Sequence, residues 1–296
     1  MTDESFKIDF IGIGAPKSGT TWISQCLDEH PDICHSHRFE TVFFENTNFY
    51  RKGLAYYGKF FAHYKLGQKR GEITPTYLYS AETAQRIKEA FPQVKLIVCL
   101  RNPIERAHSH YTAHERHGKN IIWLKSFDEI RGNQGNPYFK RGLYYESLQW
   151  YITIFGRENI LILIHDDIKT DPRQFMQKIY SFLGVNPDFV PPSLLKRINA
   201  AEERGVYSKS INQWLLYGKL GKALSRLPFY KQLRRLLIWT RIFKYTRKAI
   251  GLLNKRNKAW VRSPMSQETR EFLKRAYQKD IANLETLLNR KLDFWK

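Results

Sequence analysis

Short apolar runs alternate along the chain with longer segments whose apolar residues recur at helical spacing. The runs at 96–100 and 160–164 contain no polar side chain other than one cysteine. Continuous apolar runs of strand length are typical of parallel strands that are covered on both faces. Because these runs alternate with helical segments, the pattern predicts a three-layer α/β fold with a central parallel sheet.

The expected elements follow from these patterns and from the glycine and proline residues between them. The expected strands are 6–14, 69–73, 95–100 and 160–164. The expected helices are 20–29, 53–64, 80–91, 103–116, 143–155, 171–184 and 266–289. Residues 30–50 are expected to be irregular, and 131–137 to form a loop rich in glycine and asparagine.

The turn after the first strand has the composition of an anion-binding loop. Gly14 and Gly19 permit positive φ angles, and Lys17 lies between them. The N–H groups of such a loop and of the helix that follows converge on an anion. The common nucleotide-hydrolase loop has lysine directly after its second glycine, where this chain has Thr20. The shifted lysine indicates a charge near the 5′ end of a nucleotide, although an ordinary turn with a solvated lysine is the alternative.

A second anion site is expected where the strand 95–100 ends. Arg101 follows that strand directly, and open α/β sheets bind their ligands at such ends. Pro103 suits the first turn of the next helix, and Ser109 lies about two turns further on. A planar guanidinium and a hydroxyl together suit one phosphate. The alternative to a second anion site is a structural role, in which Arg106 of the same helix pairs with a nearby glutamate.

With two such sites in place, the chain resembles the sulfotransferases that use 3′-phosphoadenosine 5′-phosphosulfate (PAPS). Residues 16–21, PKSGTT, resemble the family's 5′-phosphosulfate loop, and 101–111 match its 3′-phosphate element R-x-P-x-x-R-x-x-S-x-Y. Residues 40–44 are similar to the E-x-x-F-F segment of the heparan-sulfate-type branch. Residues 71–77 resemble the family's E-K-[ST]-P-x-Y strand, but Ile73 stands where lysine is common. The resemblance spans most of 6–200 and resumes over 263–295.

The resemblance implies a P-loop-like fold and a sulfotransferase that releases 3′-phosphoadenosine 5′-phosphate (PAP). The residues that it implies for cofactor binding are Pro16, Lys17, Ser18, Gly19, Thr20, Thr21, Arg101 and Ser109. It implies that Lys17 and Glu40 are catalytic, with Glu40 as the general base. Additional candidates are Glu72, as a second base, and Arg204; the histidines His35 and His37 also flank the Glu40 segment. No cluster has metal-ligand spacing, so no metal is expected.

The positive charge is concentrated in one segment. The formal net charge is +21, and residues 205–262 carry 15 Lys or Arg and no Asp or Glu. Aromatic and aliphatic residues recur there at helical spacing, so amphipathic helices on an anionic membrane surface are one interpretation. A basic helical region packed on the core is the other, and nucleic-acid binding is not expected. The expected division is a PAPS-binding domain over 1–200 and 263–296, with a basic helical insertion over 201–262.

Composition and motifs leave the acceptor open. A hydroxyl- or amine-bearing glycan or lipid head group is favoured, because residues 40–44 resemble the heparan-sulfate-type branch. The three cysteines have no metal-ligand spacing. The sequence contains no apolar run of 18 residues, the length needed to span a bilayer. We therefore expect a cytoplasmic enzyme, peripheral on the inner membrane if the basic helices bind lipid. The alternatives are a P-loop small-molecule kinase and a non-catalytic membrane-surface module.

Overall fold

The computed structural model describes residues 6–116, 124–195 and 263–295. Five parallel strands form one sheet in the order β2-β3-β1-β4-β5, and helices flank it. The strands are β1 Phe10–Gly14, β2 Ile33–His35, β3 Lys69–Ile73, β4 Lys95–Leu100 and β5 Ile160–Ile164. The helices are α1 Thr20–Asp28, α2 Thr47–Tyr50, α3 Gly53–Gly58, α4 Ala81–Ala90, α5 Pro103–Arg116, α6 Pro137–Lys140, α7 Tyr145–Phe155, α8 Asp167–Thr170, α9 Pro172–Leu183 and α10 Gln267–Leu288.

The predicted α/β fold with a central parallel sheet is confirmed. Each strand and helix expected within the described residues is present, although β1 begins at Phe10 and not at residue 6. The expected helix 53–64 is shorter: α3 ends at Gly58 and a 3-10 turn, Lys59–Phe61, follows. The sequence prediction missed β2, within the segment expected to be irregular. This edge strand has three residues, too few for an apolar period to be recognised.

Close packing between β1 and β3 explains why glycine stands at positions 12 and 71 in the centre of the sheet. In β1, Phe10 pairs with Gly71 of β3, and any side chain at Gly71 would overlap the Phe10 ring. A Cβ on Gly12 would lie 2.6 Å from Cγ1 of Ile73. Ile73 therefore packs into the core cluster between the sheet and its helices. Ile73, which stands where the E-K-[ST]-P-x-Y pattern has lysine, is a core residue in this chain.

The strand order creates a topological switch point at the carboxyl ends of β1 and β4. The chain leaves β1 for β2 and β3 on one side, and then crosses to β4 and β5 on the other. The loop after β1 therefore lies beside the end of β4, at the point where the direction of winding changes. Ligands of open α/β sheets bind at such switch points, outside the carboxyl ends of the strands.

The C-terminal residues brace the ends of β4 and β5. The indole of Trp295 is buried and donates from Nε1 to Asp166 Oδ2 at 3.1 Å. The backbone carbonyl of Trp295 accepts a hydrogen bond from the Asn102 side chain at 3.3 Å. Arg290 forms a two-pronged ion pair with Asp167, with both N–O distances at 2.7 Å. The residues that follow both strands are thereby fixed in place.

The chain divides into two compact units. The first comprises 1–110, 126–198 and 265–296, and the second comprises 111–125 and 199–264. The basic segment 201–262 and Arg204 lie outside the described residues, so the predicted basic helical insertion stays a prediction. In the described parts of the chain, no helix is both long and apolar enough to cross a membrane.

Candidate active site

The loop between β1 and α1 forms a cradle of backbone N–H groups. Its start is docked on the neighbouring strand, because the Ala15 N–H donates to the Cys99 carbonyl at 2.8 Å. Lys17 and Gly19 have positive φ angles of 73° and 83°. Gly19 is the N-cap of α1, and its carbonyl accepts from the Trp22 and Ile23 N–H groups at 3.0 and 3.1 Å. The N–H groups that come before these at a helix start have no intrahelical acceptor. The loop thus has the geometry of an anion site at the positive end of a helix dipole.

The side chain of Ser18 supplies an independent sign of a ligand. Its residue is 0% exposed, and its Oγ has no hydrogen-bond partner among the residues that the structure describes. A buried hydroxyl without a partner costs about 1–3 kcal/mol. An anion in the cradle would accept a hydrogen bond from this hydroxyl. The residues present therefore fit a phosphate-bearing cofactor.

Arg101 joins the second predicted anion site to the first. Its Nη1 donates to the Lys17 carbonyl at 3.1 Å, although the two residues are 84 positions apart. Its own carbonyl accepts from the Tyr144 hydroxyl at 2.8 Å, which fixes the backbone at the end of β4. Ser109 lies on α5, about two turns along, and is half-buried. The two motifs consequently lie side by side at the carboxyl ends of β1 and β4.

The structural alternative for Arg106 is only half right. Arg106 is fully buried and donates to the Tyr138 carbonyl. Its neighbour Glu105 pairs with Arg270 of α10 at 2.9 Å. Arg106 is thus a structural residue, but it holds a backbone carbonyl rather than a glutamate.

Glu40 lies close enough to Lys17 for their charges to interact. The Glu40 side chain is half-buried, and its burial raises the pKa of the carboxyl above the ordinary value. The negative charges of Glu45 and Glu72 raise this pKa further, while the Lys17 ammonium opposes the rise. The two residues predicted to be catalytic therefore lie within electrostatic range of each other.

The other predicted bases are each engaged in hydrogen bonds. Glu72 is 1% exposed, and its carboxylate accepts hydrogen bonds from four hydroxyl groups, so it does not face an acceptor. The ring of His35 is buried, with hydrogen bonds between Nε2 and the Ser24 hydroxyl and between Nδ1 and the Ser36 carbonyl. His37 is exposed, with Nδ1 2.8 Å from the Phe60 carbonyl oxygen. Glu40, whose side chain is half-buried and within range of the Lys17 charge, stays the predicted base.

Family comparison agrees with this geometry. The model of a family described as the sulfotransferase domain matches residues 7–215, more than half of the chain. The chain belongs to the sulfotransferase family. Among solved structures, it resembles a sulfotransferase from Alicyclobacillus acidocaldarius, with a TM-score of 0.68 and 24% identity over 98% of this chain and 99% of that one. At this identity the likeness shows the shared fold.

The chain matches only part of the length of its curated relatives. The membrane-associated sulfotransferase kil1 of Dictyostelium discoideum is 24% identical over 60% of this chain and 56% of its own length. The human bifunctional heparan sulfate N-deacetylase/N-sulfotransferase 2 is 30% identical over 60% of this chain and 22% of its own. The human heparan sulfate glucosamine 3-O-sulfotransferase 6 is 29% identical over 58% of this chain and 51% of its own. The match thus spans less than two thirds of each relative.

The sequence prediction missed His165, which lies beside the loop and the end of β4. It follows β5 directly, and its N–H donates to the Leu100 carbonyl at 2.7 Å. A Cβ on Gly19 would lie 3.2 Å from the His165 ring. Burial, with a smaller contribution from the Arg101 charge, lowers the pKa of His165 to about 4. The strand-end position that identified Arg101 is also the signal that would have identified His165.

Across 6–116, 124–195 and 263–295, no three His, Cys, Asp or Glu side chains are grouped as a metal site would require. The expectation that this chain uses no metal stays a prediction.

Proposed function

We propose that this protein is an enzyme that transfers the sulfuryl group of PAPS to a hydroxyl or amine acceptor. The observation that carries the proposal is the position of Lys17. Its backbone is held by Arg101, and its charge acts on Glu40. One lysine thus links the anion cradle, the second anion site and a carboxylate base.

The cradle residues would hold the 5′ end of the cofactor and Arg101 its 3′-phosphate. The residues assigned to the cofactor are Pro16, Lys17, Ser18, Gly19, Thr20, Thr21, Arg101 and Ser109. When bound, PAPS supplies an activated sulfuryl group with PAP as the leaving group. Lys17 and the helix N-terminus stabilise the negative charge that develops as this group departs. Because the donors are held in place before binding, little reorganisation is needed at the moment of reaction.

Glu40 would take the proton from the acceptor. A general base is most effective when its pKa lies near the working pH. Burial and the neighbouring carboxylates of Glu45 and Glu72 raise the pKa of Glu40 in that direction. The Lys17 charge keeps the ionised form available. These opposing effects suit a carboxylate that accepts a proton during turnover.

For the acceptor we favour a carbohydrate or a glycolipid head group. Two relatives are named for sulfation of heparan sulfate, one at nitrogen and one at a 3-hydroxyl. Another relative is named as membrane-associated. The basic segment 205–262, with 15 cations and no carboxylate, would attract an anionic glycan or an anionic membrane. We propose no nucleic-acid partner.

A transfer assay with radiolabelled PAPS tests this function. The acceptors are desulfated heparan-type glycan in solution and glycolipid in anionic vesicles. Lys17→Ala should reduce kcat about 10²–10³-fold, because it removes a charge that acts in the transition state. Lys7→Ala is the matched control, since Lys7 precedes β1 at the opposite end of the strand and pairs with Asp9 at 3.3 Å.

Three results would contradict the proposal. Wild-type turnover by a folded Lys17→Ala variant would remove Lys17 from the mechanism. A larger thermal shift with ADP and Mg²⁺ than with PAP would favour a small-molecule kinase. PAP binding without transfer to any acceptor tested would favour a non-catalytic module.

A further inference from the structure

The carboxylate of Glu72 is buried at the end of β3, beneath the residues that carry Glu40. Glu72 Oε1 accepts from Thr41 Oγ1 at 2.6 Å, from Tyr57 at 2.8 Å and from Tyr77 at 3.1 Å. Oε2 accepts from Thr74 Oγ1 at 2.6 Å. A buried carboxylate is tolerated when hydrogen bonds satisfy its oxygens, as they do here.

Residues 40–44, which we call the Glu40 turn, have an unfavourable backbone. Glu40 and Val42 have positive φ angles of 54° and 50°. This region is rare for residues other than glycine, and a β-branched side chain such as that of Val42 is a marked outlier there. Such conformations persist where the surrounding structure determines them, and they cluster at functional sites.

The Glu72 network holds the Glu40 turn through four consecutive backbone N–H groups. The Thr41 N–H donates to Glu72 Oε2 at 3.4 Å, and the Val42 N–H to Thr74 Oγ1 at 3.4 Å. The next two, of Phe43 and Phe44, donate to the Thr41 and Tyr77 hydroxyls, each at 3.3 Å. Each of these N–H groups therefore donates either to Glu72 itself or to a hydroxyl group that is hydrogen-bonded to Glu72.

We propose that Glu72 is a positioning residue, which fixes the strained Glu40 turn through Thr41 so that the Glu40 carboxylate is directed toward Lys17. The inference rests on the proposed role of Glu40 as the base. It replaces the expectation that Glu72 is a second base. The side chain of Thr41 is central, because it donates to Glu72 and also accepts the Phe43 N–H.

A matched pair of variants tests the inference. Thr41→Val and Tyr57→Phe each remove one hydroxyl from Glu72 Oε1. Tyr57 lies on α3, outside the Glu40 turn, and phenylalanine keeps the ring that stacks on Phe43 with centroids 4.5 Å apart. We expect Thr41→Val to lower kcat about 10²-fold, since a misplacement of about 1 Å has an effect of this size. Tyr57→Phe should keep a kcat close to that of wild type.

Rescue and cofactor affinity separate positioning from general destabilisation. Thr41→Ser keeps the hydroxyl and should restore kcat. Calorimetry should give the same Kd for PAP in all three variants, because the cradle is not altered; it also shows that each preparation is folded. Glu72→Gln should reproduce the loss of kcat with PAP affinity unchanged.

The outcomes distinguish this inference from the proposed function. Equal kcat losses in Thr41→Val and Tyr57→Phe, or a Thr41→Ser variant as slow as Thr41→Val, would overturn the positioning role. In either case an inactive Glu40→Gln variant would leave the proposed base in place. An active Glu40→Gln variant would overturn the base assignment, and the positioning inference with it.

Discussion

Replacing Ser18 by alanine should affect stability and ligand binding in opposite directions. The Ser18 hydroxyl is buried in the cradle without a partner among the described residues. In the ligand-free protein, Ser18→Ala removes a desolvated polar group whose burial is unfavourable. In the complex with PAP, the same change removes a hydrogen bond to a charged phosphate.

Both magnitudes follow from the burial of this hydroxyl. An unsatisfied buried hydroxyl costs about 1–3 kcal/mol, so the ligand-free variant should be more stable than wild type by up to that amount. For a domain of this size, each kcal/mol corresponds to a rise in Tm of about 2–4 °C. A hydrogen bond to a charged group contributes about 1.5–3 kcal/mol, so the Kd for PAP should rise about 10- to 150-fold.

Thermal unfolding with and without PAP, together with calorimetry, measures both effects. Ser193→Ala is the matched control, because Ser193 is also buried but its Oγ donates to Glu29 at 2.5 Å. That variant should lose stability and bind PAP as wild type does. The reasoning is refuted if ligand-free Ser18→Ala loses stability as Ser193→Ala does and keeps the wild-type Kd for PAP.

Three further predictions follow from the site. Arg101→Ala and Ser109→Ala should weaken PAP binding much more than AMP binding, because both are assigned to the 3′-phosphate; calorimetry showing equal losses would contradict this. The raised pKa of Glu40 should place the acidic limb of the kcat/KM profile above the ordinary carboxyl range, and Glu45→Gln should move that limb to lower pH. Because His165 is held neutral with a pKa of about 4 against 6.5 when unfolded, stability should fall as the pH falls from about 6.5 to about 4, by up to about 3 kcal/mol; His165→Asn should reduce this dependence in acid unfolding curves.

Much of the fold could be predicted because its signals are local. The apolar run that became β5 and the helix limits of α5 are found where the pattern placed them. The cradle was also predictable, since glycines, hydroxyls and a lysine are contiguous between a strand and a helix. The short edge strand β2 was not, because three residues carry no measurable period.

The relation between these local features depends on tertiary structure. Lys17 and Arg101 share a hydrogen bond because β1 lies beside β4, and this adjacency comes from the order β2-β3-β1-β4-β5. The same order places Glu72, at the end of β3, under the Glu40 turn.

A strand pattern shows that Glu72 stands at a strand end, but not which face of the sheet its carboxylate meets or how many hydroxyls surround it. The sequence by itself therefore determined which residues could bind an anion or accept a proton. Only the packed sheet decided which of them meet, because burial and proximity between distant residues arise from strand order and not from spacing along the chain.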